Sequence, residues 1–358
     1  MNTTIASTLL PEVQEFLAEE TIASFVGGKP IFSDDDVTFA THDPGSGEKL
    51  ADVHDLEPND VARAVDVANE AFRKQPWARL APNERGALLH RLADEIEKRK
   101  SIIAQIEALD AGKIESQAQG DVQNFVDTLR YFTDLAQHIQ HRTTLAVKGH
   151  EAWTVRQPWG ACAFIFPWNF PFLLIGWGIS PALAAGNTVV IKPAEDTPLS
   201  AVYLARLAQE VGIPDGVINV VTGRGETAGA ALSANVNIKR MSFTGSPEVG
   251  RLVAQSCGHN LVPVKLELGG KGAAVVFDDV DIADIACDNF QFRVCRQVFP
   301  VASGEVIDDN DLMSVLQQSV DNVRTDKTGS ACYQCFHNSL VFPSLMMCEV
   351  LQRHDDHD

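Results

Sequence analysis

From residue 160 onward the chain alternates short apolar, β-branched runs with helical stretches, and this pattern restricts it to one class of fold. Residues 161–166, 188–191, 217–221, 238–243, 262–267 and 273–277 read as strands. Residues 172–184, 199–210, 228–233 and 248–256 read as intervening helices. Strands this short and apolar belong in a sheet covered on both sides, and strands joined through helices run parallel. The expected fold is α/β, a Rossmann-like doubly wound parallel sheet with flanking helices.

Upstream, strand-like pieces surround Phe25-Val26 and residues 37–39, with turn residues at 42–45. Three helical stretches follow. Val61, Val65, Ala68 and Phe72 mark one face, and Pro82 suits a first helical turn ahead of a stripe from Leu88 to Ile106. Residues 114–139 form the third stretch, and residues 143–147 and 151–157 read as two short strands around Lys148-Gly149-His150.

Composition excludes several functions. The net charge of -19 opposes phosphate, which argues against a nucleic-acid partner. The most apolar stretch, 170–185, is interrupted by Gly176, Gly178 and Pro181, so no membrane span is expected. The N-terminus lacks a basic n-region, which makes the cytoplasm the expected compartment. The chain has seven cysteines, an odd number, which does not describe a disulfide framework.

Four segments at predicted strand ends carry the chemistry. Gly223, Gly225 and Gly229 follow one strand and open a helix, and Gly245 and Gly250 do the same after another. Such turns cradle a pyrophosphate or serve as plain strand-to-helix turns; the spacing is not GxGxxG. Lys192 and Glu195 follow the strand 188–191, where they suit ribose hydroxyls or form a solvated pair. A carboxylate there repels a 2′-phosphate, which favours NAD over NADP. Asn169, set between aromatics and prolines, is an oxyanion donor or a turn former. Glu267 shares a strand face with Lys265 and is a general base or that lysine's partner.

Taken in order, PWNFP at 167–171, KPAE at 192–195, FTGS at 243–246 and ELGGK at 267–271 closely resemble the aldehyde dehydrogenase superfamily, over residues 25–281. The resemblance implies NAD-linked oxidation of an aldehyde to a carboxylic acid. It implies Asn169 as side-chain oxyanion donor, Glu267 as the base that activates water, and Lys192 and Glu195 as holders of the adenosine ribose. Ser246 would contact the pyrophosphate beside Gly225 and Gly245, and Phe166, Trp168, Gly229, Phe243 and Leu268 would complete the cofactor site. In such enzymes a cysteine thiolate attacks the aldehyde, hydride passes to the nicotinamide, and water hydrolyses the resulting thioester. The implied organisation is an NAD-binding domain at 1–142 and 158–268, an oligomerisation arm at 143–157 and a divergent or remnant catalytic region at 269–358. A homo-oligomer is expected of a complete member.

The pattern departs from the family near its nucleophile. A motif like FxNxGQxCxA is expected a little over thirty residues after Glu267, and residues 299–303 read Phe-Pro-Val-Ala-Ser instead. Cys295 is the nearest thiol, and Arg293 and Arg296 beside it would lower its pKa. After about Ala283 the motifs give no further resemblance, and the tail resembles an out-of-frame or rearranged segment. Cys332 and Cys335 make one CxxC, half of a zinc site, so no metal ligands are assigned. Three readings stand: an NAD-linked aldehyde dehydrogenase acting through Cys295 or another thiol, an inactive truncated relative that at most binds NAD, and an interaction protein with a zinc-binding tail.

Overall fold

The β-rich runs after residue 160 assemble as their pattern predicts. A computed structural model describes residues 9–270 apart from Asp34 and Gln75. One compact unit ends at Leu268 and a second begins at Gly269. The predicted strand at 273–277, Cys295 and the CxxC tail lie outside the described residues.

The first unit opens with α1 (Pro11–Leu17), β1 (Ser24–Val26), β2 (Lys29–Ile31), β3 (Thr38–His42) and β4 (Lys49–His54). Four helices follow: α2 (Pro58–Lys74), α3 (Pro82–Lys98), α4 (Lys100–Ala111) and α5 (Glu115–His138). The hairpin β5 (Arg142–Val147) and β6 (His150–Val155) precedes β7 (Ala161–Ile165), α6 (Pro171–Ala184), β8 (Thr188–Lys192), α7 (Leu199–Glu210) and β9 (Ile218–Val220). A π-helical turn, Gly225–Gly229, then runs into α8 (Ala230–Ala234), and β10 (Arg240–Gly245), α9 (Pro247–His259) and β11 (Val264–Leu268) complete the unit.

The central sheet has seven strands in the order β11-β10-β7-β8-β9-β1-β2. The first five run parallel, and β1 and β2 extend the sheet antiparallel. This antiparallel extension departs from the all-parallel expectation. Strands of three residues are too short to show a sequence period.

Alternation along the strands divides the core in two. Cys162, Phe164, Val189 and Ile191 join one apolar cluster with side chains of α3 to α7. Ala161, Ala163, Val190 and Met241 join the other, with side chains of α2, α8 and α9. Successive strand residues point to opposite faces, so the sheet is wound on both sides, as its sequence requires. The stripe from Leu88 to Ile106 is not one helix. It breaks at Arg99, which closes α3 and precedes α4.

Candidate functional site

Chain order places a crevice beside β7. From β7 the chain moves outward to β8 and β9, then returns to place β10 on β7's other flank. Loops leaving adjacent strands in opposite directions separate at such a switch point, and the crevice lies outside the strands' carboxyl ends. Every sequence-assigned segment of the first unit sits at that end of the sheet.

Lys192 is the last residue of β8 and is buried, with 2% of its surface exposed. Its Nζ donates to Glu195 Oε2 at 2.8 Å, while Glu195 Oε1 accepts the Gly225 N–H at 3.1 Å. A charge chain thus joins the carboxyl end of β8 to the turn after β9. Burial pushes the Glu195 carboxyl up, but the Lys192 charge and hydrogen bonds from Lys192, Glu195 and Gly225 outweigh it and hold it below its ordinary value. Gly229 lies 3.8 Å, measured from an ideal Cβ position, from Lys192 Cδ. The lysine stem therefore runs along the glycine's open side.

The turn itself is locked by residues the sequence did not single out. Asp55 accepts from Arg224 N at 3.2 Å and from Arg224 Nε at 3.0 Å. Thr222 Oγ1 donates to the His54 carbonyl at 2.6 Å, and Leu56 N–H donates to the Thr222 carbonyl at 3.1 Å. The hydroxyl of Thr227, in the same turn, is buried without a hydrogen-bond partner among the described residues.

On the other flank, Ser246 caps α9 and its hydroxyl accepts the Val249 N–H at 3.2 Å. Gly245 ends β10, and a Cβ there would meet the Phe243 ring at 2.7 Å. Phe243 is buried and paired in register with Ile165 and Leu266. Gly250 admits the Leu268 side chain, whose Cδ2 would be 2.6 Å from a Cβ at that glycine.

Asn169 lies in the loop between β7 and α6, where its Oδ1 accepts the Phe170 N–H at 3.1 Å. Its Nδ2 has no hydrogen-bond partner among the described residues. This bond is the one that the turn-forming reading expects, and among the described residues nothing engages the Nδ2 that the oxyanion reading would use. Trp168 is half-buried in this loop. The Phe166 side chain is buried against Gly178 and stacked on Phe164, which leaves its backbone as the part that can meet a ligand.

Glu267 pairs with Lys265 at 3.1 Å, and both side chains are more than half exposed. Two cysteines fall among the described residues, and both are buried. Burial pushes the Cys162 thiol up to about 12, against the opposing charge of Arg240, and raises Cys257. A buried thiol with a raised pKa holds little of the thiolate that attacks a carbonyl. Among the described helices, none is long and apolar enough to cross a membrane.

Two buried acids were also missed. Glu107 Oε2 accepts the Phe172 N–H at 3.3 Å at the start of α6, and Asp110 Oδ2 accepts the Leu199 N–H at 2.9 Å at the start of α7. Their signal was present: both continue the apolar stripe of Ile103 and Ile106, where an acid has no access to water.

The sequence model described as "Aldehyde dehydrogenase family" matches residues 31–297. The match ends later than the limit near Asp281 read from the motifs, and it takes in Cys295. Retinaldehyde dehydrogenase 3 of Mus musculus is 46% identical over 253 residues, 70% of this chain and 49% of that protein. Retinal dehydrogenase 2 of Homo sapiens is 41% identical over 278 residues, 76% of this chain and 54% of that protein. An NAD+ complex of aldehyde dehydrogenase from Bacillus cereus superposes with a TM-score of 0.73 at 38% identity, covering 79% of this chain and 58% of that one. The chain thus spans about half the length of the curated relatives it matches.

Proposed function

The chain belongs to the aldehyde dehydrogenase family, and on that premise we propose that it binds NAD at the switch-point crevice and oxidises an aldehyde to a carboxylic acid. The observation that carries the binding reading is the run Lys192–Glu195–Gly225, which spans two adjacent strand ends. The group fits: an ionised carboxylate faces the ribose position, the Gly225 and Gly229 turn has no side chain to obstruct it, and Ser246 opens a helix N-terminus. NAD, when bound there, accepts hydride. A 2′-phosphate would meet the Glu195 carboxylate, so NADP is disfavoured.

Within this reading, residues 1–142 and 158–268 form the NAD-binding domain, 143–157 an oligomerisation arm and 269–358 a divergent catalytic region. Asn169 donates to the developing oxyanion, and Glu267 takes the proton of the water that opens the thioester. Because Cys162 and Cys257 are buried, the nucleophilic thiol belongs to residues 269–358, and Cys295 is assigned to it. A second reading, NAD binding without turnover, draws on the Lys265–Glu267 pair, which occupies the carboxylate the base role needs.

Calorimetric titration of the full chain tests the binding claim. NAD binds, NADP binds about tenfold more weakly or worse, and Glu195→Ala weakens NAD about tenfold, roughly 1.4 kcal/mol. Absence of NAD binding sinks both readings. NADH formation with a simple aldehyde, lost in Cys295→Ala, supports the enzyme, and binding without NADH formation leaves the second reading.

A further inference from the structure

A buried acid and a lysine meet the loop that carries Asn169. Glu107 is fully buried, and its Oε2 holds the Phe172 N–H, one of the unpaired donors at the start of α6. Lys113, just beyond α4, places its ammonium 4.0 Å from the centre of the Phe170 ring. That ammonium is itself fixed by Asp121 Oδ2 at 2.5 Å, in a pair whose side chains are only 7% and 10% exposed. Glu107 thus holds the carboxyl side of Asn169 through the Phe172 backbone, and Lys113 holds it through the Phe170 ring.

The loop's other ties are the Phe170 carbonyl, which accepts the Leu174 N–H at 3.0 Å, and the buried Phe172 ring, centred 4.7 Å from that of Phe125. Prolines at 167 and 171 remove two backbone donors, and Phe170 is non-helical at φ -138 and ψ 65. Apart from the Asn169–Phe170 bond, the loop's amino end is tied to β8 by Phe166 N–H on the Lys192 carbonyl at 3.1 Å. An oxyanion donor works only when held within about 0.5 Å of its productive position, so its supporting contacts set its value.

We propose that Glu107 and Lys113 are positioning residues for Asn169: the carboxylate anchors Phe172, the ammonium anchors Phe170, and together they aim the Asn169 amide. The proposal rests on the reading of Asn169 as oxyanion donor, but its structural part stands apart from turnover. Burying an acid and an ammonium is costly, and burial pushes the Glu107 carboxyl up against the Lys113 charge and the hydrogen bonds of Ser200 and Phe172. An apolar pair would pack there at less cost. What the two polar groups add is directional hold on one backbone amide and one ring.

Amide hydrogen exchange in the full chain, resolved at Phe170 and Phe172, tests this in the wild type, Glu107→Ala, Glu107→Gln and Lys113→Met. Expected is an acceleration of about tenfold at those amides in Glu107→Ala and Lys113→Met, with Thr188–Lys192 unchanged. Glu107→Gln keeps an acceptor and restores protection at Phe172. NAD affinity stays at the wild-type value in all three, and where the wild type turns over aldehyde, kcat falls in Glu107→Ala while KM for NAD holds. Equal acceleration in β8 and the loop, or no acceleration in the loop, overturns the proposal. If Glu107→Ala does not fold, Lys113→Met and Glu107→Gln decide it by the same comparison. A wild type that binds NAD but forms no NADH defeats the enzymatic reading alone, and the exchange result still stands.

Discussion

Asp110 Oδ2 receives the Leu199 N–H at 2.9 Å, one helical turn along α4 from the Glu107 carboxylate that receives Phe172 N–H at 3.3 Å. One helix thus supplies acids to the starts of two others, each following a parallel strand that ends at the crevice. Helix N-termini carry unpaired donors, and a carboxyl oxygen accepts from one whether or not the acid holds its proton. The opposite end of α6 is matched by a cation: Arg85 Nε donates to the Ala184 carbonyl at 3.0 Å. The loops of the proposed site are therefore set from the helical layer behind them.

Asp110 gives a prediction in pH. Its carboxyl is pushed up to about 8, first by burial, against the hydrogen bonds from Leu199 and Thr41 that favour the charge. The folded chain then keeps a proton that the unfolded chain releases between about pH 4 and about pH 8. More protons bound in the folded state mean that stability falls as pH rises through that window. Asp110→Asn should flatten this share of the slope, read as urea midpoints across the same range. An unchanged slope would show that Asp110 does not hold its proton.

Gly223 precedes the π-helical turn at φ +147. A Cβ there would stand 2.7 Å from Ala228 Cβ, 3.1 Å from Asp55 Oδ1 and 3.3 Å from the Leu56 backbone nitrogen. None of these is the loose end of a long side chain, so Gly223→Ala should cost about 2–4 kcal/mol. Gly258, in α9, has nothing within 4 Å, and Gly258→Ala should be neutral or stabilising by up to about 1 kcal/mol. Denaturant midpoints of the two variants check the contrast.

Much of this was legible in the sequence for a physical reason. The central strands β7 and β8 are buried on both faces, and Leu199–Glu210 was bounded to the residue because its stripe is unbroken between turn-forming neighbours. The break at Arg99 was hidden because the stripe continues across it with no glycine or proline to mark it. The position of Lys192 at a strand's carboxyl end and its pairing with Glu195 could be read directly from local pattern. Asp55 and Arg224 could not, since they meet across 169 positions of chain. No local pattern encodes such a contact.

Burial sets the thiol chemistry of the two described cysteines. Cys162 and Cys257 are buried with raised thiol pKa values, so neither presents a thiolate at pH 8, the usual alkylation condition. Iodoacetamide applied to the native protein should leave both unmodified by peptide mass spectrometry, and both should react after unfolding. Cys162→Ala removes a core sulfur and should cost about 1–2 kcal/mol without changing any NADH formation. Loss of NADH formation in a folded Cys162→Ala protein would move the nucleophile back into the first unit.

The hairpin β5–β6 shows apolar groups on both faces. Strand pairing puts Leu145 opposite Ala152 and Thr144 opposite Trp153, so Leu145 and Val147 face one side and Trp153 and Val155 the other. All four are exposed, between 45% and 53%, and the Arg142 guanidinium lies 3.9 Å from the Trp153 ring centre. A two-stranded ribbon that buries neither face is marginal alone in water, which is what an arm covered by a second copy would look like. Trp153→Ser with Val155→Thr should therefore lower the assembled mass in light scattering. The melting of the unit's core should move by less than about 0.5 kcal/mol, because these side chains touch none of it. A wild type that is monomeric at every concentration tried would remove the arm from the proposed organisation. A double variant that unfolds the core would show instead that the hairpin packs on its own chain.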